Sequence, residues 1–355
     1  MSSKLKPGLK RQHFAHPLDL SGMQSLLSGI ARTKIIEQQL AKLQKDVEDE
    51  FYLINLADNT KLSDKQGASL HRMASDVADR FSVRVPTVFL DRTSEVRSCA
   101  LAGERPYLSF TSGLVDSFPE TAMRAVIGHE LGHIMCEHTF YRLMAENYQV
   151  FSQLAGCIPL LGPVVSFGIV FKLFDWYKKS ELSADRAALL ATGDITAVQD
   201  YILRIAGGSV KLGPELSLTE FGNQADEFQD LVRERRQQGV SRRLRFLLSS
   251  LMLQRALGSH PWPSIRFKAI TMWAGTRQYA ELLAGNYEVA AALGEASRKS
   301  DELVLALDLP TEDLFTHLDD LRNAATGAVS DLYKQVKAPL DWLTDDEDEG
   351  PDKKE

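Results

Sequence analysis

The chain has 355 residues, of which 44% are hydrophobic, enough to bury a substantial core and to hold more than one domain. Its formal charge of −7 leaves no basic surface for nucleic acid, and no ladder of arginine and aromatic residues is present to bind a single strand. Three scattered cysteines, Cys99, Cys136 and Cys157, cannot all pair and form no Cys-x-x-Cys unit, which points to a reducing compartment and away from a sulfur-bound metal.

Residues 1–17 read as a flexible basic arm without the apolar run of a signal peptide, so the expected location is the cytoplasm. Leu26, Leu27, Ile30, Ile35, Ile36, Leu40, Leu43 and Val47 then recur at helical spacing across 18–57. A second helix is expected over SDKQGASLHRMASDVADRF, with Ser63 as its N-cap, before the β-branched stretch SVRVPTVFL. Two more strands, EVRSCALA and RPYLSFT, flank a turn at Gly103-Glu104, which predicts a small sheet.

From Pro119 the pattern returns to helix and runs through TAMRAVIGHELGHIMCEHTFYRLMAEN. Residues 155–171 carry no charge, but Pro159, Gly162 and Pro163 divide a stretch already short for a bilayer span. Two readings stay open there, a buried or partner-covered hairpin and one that touches a membrane. A helix from about Val164 through KLFDWYKKSELSADRAALLAT is expected to stop at Gly193. Beyond Gly207-Gly208 the chain is helical and polar; RERRQQGVSRRLR reads as a solvated helix face and LTDDEDEGPDKKE as a disordered acidic tail.

Three of the eight histidines fall within VIGHELGHIMCEH, residues 126–138. Residues four apart share a helix face, so His129 and His133 can aim their imidazoles at one cation, and zinc suits that donor pair. Glu130, next to the first histidine, sits where a general base for a metal-activated water belongs. Val126, Ile127, Leu131, Ile134 and Met135 make the surroundings apolar, while Gly128 and Gly132 are a costly choice in a helix unless something approaches closely. A catalytic zinc takes three protein ligands and one open position. Glu181 on the following helix is the leading third ligand, with Glu137 and His138 as competitors. Asp185, one turn beyond Glu181, can accept a hydrogen bond from a ligating imidazole. Both acids have a plain alternative as salt-bridge partners of Lys178, Lys179 or Arg186.

Taken together, GHELGHIMCEH, KSELSADRAALLAT, YLSFTSGLVD and SHPWPSIRFKAI resemble the HtpX-like zinc metallopeptidases, relatives of the CAAX prenyl endopeptidases, over roughly residues 65–275. The resemblance implies an α+β, mostly helical zincin-like domain with a small β-sheet beside the His-Glu-x-x-His helix, flanked by helical extensions. The expected organisation is an arm and helix over 1–60, the peptidase domain over 61–275, a helical extension over 276–340 and the acidic tail over 341–355. It also implies one Zn²⁺ on His129, His133 and Glu181, Glu130 as base, and Asp185 in support. Arg266 is expected near the metal, and His260 is expected to donate to the oxyanion or block the open metal position. RSCALAGE falls where relatives have a substrate-lining edge strand, so Cys99, Ala100, Leu101 and Ala102 are expected to line an extended peptide. Arg97 and Cys99 depart from the family's usual residues there, and the chain lacks the clear spanning helices of many relatives. The expected function is zinc-dependent cleavage of polypeptides, in protein quality control. The rival reading is a metal-containing, chaperone-like binding module with little turnover.

Overall fold

The computed structural model describes residues 4–30, 34–147, 167–208, 211–237 and 262–297. His260, Cys157, residues 155–166, most of RERRQQGVSRRLR and the acidic tail lie outside them. The expected α+β class is found, with helices predominating around one four-stranded sheet.

Residues 4–17 are not a free arm. Leu5 and Phe14 are buried in the main core, the Leu5 amide donates to the Arg80 carbonyl at 3.2 Å, and Arg11–Phe14 forms a short helix, α1. Two apolar anchors in a basic stretch are enough to dock it. The helical spacing over 18–57 resolves into α2 (Pro17–Ile30) and α3 (Lys34–Asp58).

Strand β1 (Thr60–Lys61) precedes α4 (Ala68–Phe81), which starts later than expected. Ser63 is not its cap: Ser63 and Gln66 exchange backbone hydrogen bonds in a tight turn, and Gly67 enters the helix with φ 64°, where a Cβ would meet Leu62 at 2.7 Å. Strands β2 (Thr87–Asp91), β3 (Ser98–Leu101) and β4 (Tyr107–Thr111) fall within the three stretches expected to be strands. Sheet order is β1-β2-β4-β3, with β2 and β4 parallel and the outer pairs antiparallel. Side chains alternate between two buried clusters. Val88, Leu108 and Phe110 enter one; Phe89, Leu101 and Tyr107 enter the other, so helices cover both faces.

After α5 (Ser112–Ser117), Pro119 caps α6 (Glu120–Met135), whose first-turn Glu120 complements the helix dipole. The helix does not run on to Asn147 as expected. Glu137, with φ 61°, breaks it, and α7 (Thr139–Glu146) follows. Helix α8 (Phe167–Thr192) ends at Gly193 with φ 65°, as expected. It runs antiparallel to α6: Gly128 faces Ala188 and Ala191, while Gly132 faces Ala184 and Ala187. These small residues let the two backbones come close, and Glu181 on α8 thereby lies against the histidine pair of α6. The fold continues with α9 (Ile195–Gly207), α10 (Leu218–Gln237), α11 (Pro263–Ala274), α12 (Arg277–Ala284) and α13 (Tyr287–Ser297). Among the described residues no helix is long and apolar enough to cross a membrane.

Candidate metal centre

His129, Glu130 and His133 on α6 and Glu181 on α8 are all at most 2% exposed. The two Nε2 atoms lie 3.0 Å apart, His133 Nε2 is 3.4 Å from Glu181 Oε1, and His129 Nε2 is 3.6 Å from Glu181 Oε2. Donors about 2.1 Å from a tetrahedral zinc ion lie about 3.4 Å from one another, so the spacing suits such an ion.

The hydrogen bonds around the two imidazoles sharpen that fit. A carboxylate only accepts, so His129 donates from Nδ1 to Asp185 Oδ1 at 3.0 Å, leaving a lone pair on its Nε2. His138 likewise donates from Nε2 to Asp19 Oδ2 at 2.9 Å. A neutral imidazole has one N–H, so His138 Nδ1 accepts from His133 Nδ1 at 3.0 Å, and His133 Nε2 also presents a lone pair. Two lone pairs face each other beside a carboxylate, an arrangement that calls for a cation. Burial, and next the Arg142 guanidinium, hold the His133 pKa well below its ordinary value, which keeps the ring neutral and able to ligate.

Glu181 is held from two sides. Arg142 on α7 donates from Nη1 to Oε1, and Arg266 on α11 places Nη1 2.8 Å from Oε2. Arg266 also grips Asp185 with two hydrogen bonds, Nε to Oδ2 at 2.8 Å and Nη2 to Oδ1 at 2.7 Å, and donates from Nη2 to the Tyr201 hydroxyl at 2.7 Å. Burial alone would raise the Asp185 pKa, but the Arg266 charge and the hydrogen bonds from Arg266 and His129 outweigh it and bring it below the ordinary value. The alternative partners of Glu181 are engaged elsewhere: Lys178 and Lys179 pair with Asp175, and Arg186 donates to the Phe14 and Ala15 carbonyls.

Glu130 accepts a 2.7 Å hydrogen bond at Oε1 from Ser98 Oγ, which binds the acid to the first residue of β3. Strand β3 is the outer strand of the sheet on that side. Its neighbours Cys99 and Leu101 turn toward the aromatic cluster of Tyr52, Phe89 and Tyr107, and Ala100 packs into the other core. Burial pushes the Cys99 thiol up to about 12. The Ala102 amide donates to Thr139 Oγ1 at 3.1 Å.

Comparison with known proteins agrees with this geometry, since the model of peptidase family M48 matches residues 64–274, more than half of the chain. The chain belongs to peptidase family M48. It is a metalloprotease of the HtpX-like kind, a hydrolase of polypeptides that requires a metal ion. The plastoglobule-localized metallopeptidase 48 of Arabidopsis thaliana is 26% identical over 278 residues, which cover 78% of this chain and 76% of the relative. HtpX protease homologues of Trichormus variabilis and Nostoc sp. are 28% and 27% identical over 112 residues, 31% of this chain and 37% of each relative. No solved structure matches the chain.

Of the residues singled out from sequence, His129, His133, Glu130, Glu181, Asp185 and Arg266 are brought together, and Cys99 to Ala102 lie on and just after β3. The M48 site also contains residues that sequence reasoning missed. Ser98, Arg142 and Tyr201 each arrive from a separate element and have no local signature. Asp19 precedes the matched domain altogether. His138, weighed only as a competing ligand, instead hydrogen-bonds the far side of His133.

Proposed function

We propose that the chain is a zinc-dependent endopeptidase in which His129, His133 and Glu181 hold the ion and Glu130 is the catalytic base. The observation that carries this reading is the 3.0 Å approach of the two Nε2 atoms next to a buried carboxylate, with each ring's Nδ1 at hydrogen-bond distance from a partner on its far side. When bound, zinc supplies Lewis acidity, lowering the pKa of water toward about 7 and polarising a peptide carbonyl. Glu130 takes the proton released as water attacks the carbonyl carbon and delivers it to the departing amine nitrogen, so the proton count closes. Ser98 occupies Oε1 of that carboxylate and so orients Oε2 for the transfer. Asp185 fixes the His129 ring, and Arg266 holds Asp185 and Glu181 in turn.

The substrate peptide pairs its main chain along Cys99 to Ala102, and His260 donates to the oxyanion. The natural substrates are damaged or unfolded proteins in the cytoplasm, with residues 155–171 as the point of any membrane contact. Carbonate washing of a membrane fraction separates embedded from peripheral protein.

The test is Glu130→Gln beside His133→Ala, with zinc content and peptide cleavage measured on both. Glu130→Gln is expected to retain one zinc per chain and lose hydrolysis, and His133→Ala to lose both. Undiminished turnover in Glu130→Gln overturns the assigned base.

A further inference from the structure

We propose that Asp19, which lies outside the M48 domain on α2, is a positioning residue for the metal centre and acts on His133 through His138. The inference rests on the reading of His133 as a metal ligand.

The two histidines of α6 are supported in different ways. His129 meets its carboxylate, Asp185, directly. His133 meets Asp19 across one interposed imidazole: His133 Nδ1 donates to His138 Nδ1 at 3.0 Å, and His138 Nε2 donates to Asp19 Oδ2 at 2.9 Å. All three side chains are buried, so no solvent competes for these bonds. The chain direction fixes the polarity. Asp19 can only accept, which leaves His138 Nδ1 as an acceptor and obliges His133 to keep its proton on Nδ1 and its lone pair on Nε2. Without that terminal carboxylate, His138 can carry its proton on Nδ1 instead. The hydrogen bond between the rings then reverses, and the proton of His133 shifts to the nitrogen that faces the metal.

Both ends of this relay are held in place. The left-handed Glu137 turns the chain back after α6, and the His138 amide donates to the His133 carbonyl at 3.0 Å, so the two rings stay adjacent. At the other end, Ser183 on α8 joins the start of α2 to the helix that carries Glu181. Its hydroxyl accepts from the His16 amide at 2.8 Å and donates to Asp19 Oδ2 at 2.6 Å. Trp176 Nε1 donates to Asp19 Oδ1 at 2.8 Å. The acid is therefore aimed by α8, although it comes from the segment ahead of the domain.

Removing an outer hydrogen-bond partner of a ligating histidine typically lowers metal affinity by about 10- to 100-fold. The experiment measures zinc affinity of the full chain against a chromophoric chelator, and the visible spectrum of the cobalt-substituted protein, for wild type, Asp19→Asn, His138→Gln and the double variant. Thermal melting of the metal-free proteins reports folding. Asp19→Asn and His138→Gln are each expected to weaken zinc by about tenfold or more and to alter the cobalt spectrum. The double variant is expected to be no weaker than His138→Gln alone, because both changes break one relay. Asp79→Asn, which neutralises an exposed acid on α4 paired with Lys4 and outside the relay, is expected to leave zinc affinity unchanged.

Wild-type affinity in folded Asp19→Asn or in folded His138→Gln overturns the relay. So does additivity of the two changes, or a loss in Asp79→Asn as large as that in Asp19→Asn. Each of these variants carries the test if another fails to fold. Failure of the underlying reading looks different, with His133→Ala binding zinc as tightly as wild type.

Discussion

Gly132→Ala tests whether the crossing of α6 and α8 makes the site. In an open helix this change stabilises, since alanine is favoured over glycine by about 1 kcal/mol. At position 132 the added Cβ would lie 2.5 Å from Ala187 Cβ and 3.1 Å from Ala184 Cα, where carbon contacts prefer about 3.5–4.0 Å. Relief requires the helices to part by about 1 Å at this level. Overpacking of that kind costs about 1–3 kcal/mol and exceeds the propensity gain. The expected net loss is about 1 kcal/mol, or about 2–4 °C in Tm for a domain of this size. Parting the helices also moves His133 Nε2 away from Glu181 Oε1, now 3.4 Å apart, so zinc affinity falls with stability. Calorimetry of the metal-free protein and chelator competition read the two effects. Adding Ala187→Gly returns the missing space and is expected to restore zinc affinity. Gly207→Ala, at a position with no neighbour within 4 Å of the new carbon, is expected to stabilise by up to about 1 kcal/mol. A Gly132→Ala protein that melts higher than wild type and binds zinc equally well refutes the close-packing argument.

Ser98→Ala removes a hydrogen bond to a charged acid, a loss of about 1.5–3 kcal/mol, so kcat is expected to drop about tenfold or more with KM and zinc content unchanged; equal kcat excludes Ser98 from orienting the base. Arg266→Met leaves Asp185 and Glu181 buried without a shared cation, and urea unfolding of the metal-free protein is expected to show a loss of about 3–5 kcal/mol. A loss under about 1 kcal/mol counts against that account. His16 is held well below its ordinary pKa of 6.5, by burial first and by Arg186 second. The unfolded chain takes up this proton near pH 6.5 and the folded chain does not. Stability is therefore complete above that pH and is lost below it, by about 1.4 kcal/mol per pH unit. Urea midpoints between about pH 7.5 and 5 are expected to fall more steeply for wild type than for His16→Asn, and parallel curves would remove His16 from the balance.

The parts of the site that follow from local pattern were legible in the sequence. His129, Glu130 and His133 share one helix turn, Glu181 and Asp185 share a second helix, and the glycines signal the close crossing between them. Strands β2 and β4 announce themselves by β-branched and aromatic residues, whereas β3, Ser-Cys-Ala-Leu, has neither and is placed by the turn at Gly103-Glu104 that follows it. What escaped depends on tertiary contact. Arg142, Ser98 and Asp19 reach the site from three further elements, and nothing in their own neighbourhoods marks them. The break after Met135 escaped because Glu137 adopts a left-handed backbone that a non-glycine residue rarely takes, while the apolar spacing on either side continues undisturbed. The docking of residues 4–14 escaped because Leu5 and Phe14 are sparse among basic neighbours, yet each fills a site in the core.

Strand β3 carries one more implication. A peptide laid beside it as an additional strand would meet mostly backbone, because the side chains of Cys99, Ala100 and Leu101 already belong to the interior. Such a groove would be tolerant of what the guest is made of and strict about how far it is threaded, for Ser98 fixes where along that ladder Glu130 stands. A slip by a single residue would invert every guest side chain and carry the cut to the adjoining bond. The enzyme would then act as a ruler, counting from an end or an obstruction instead of reading letters.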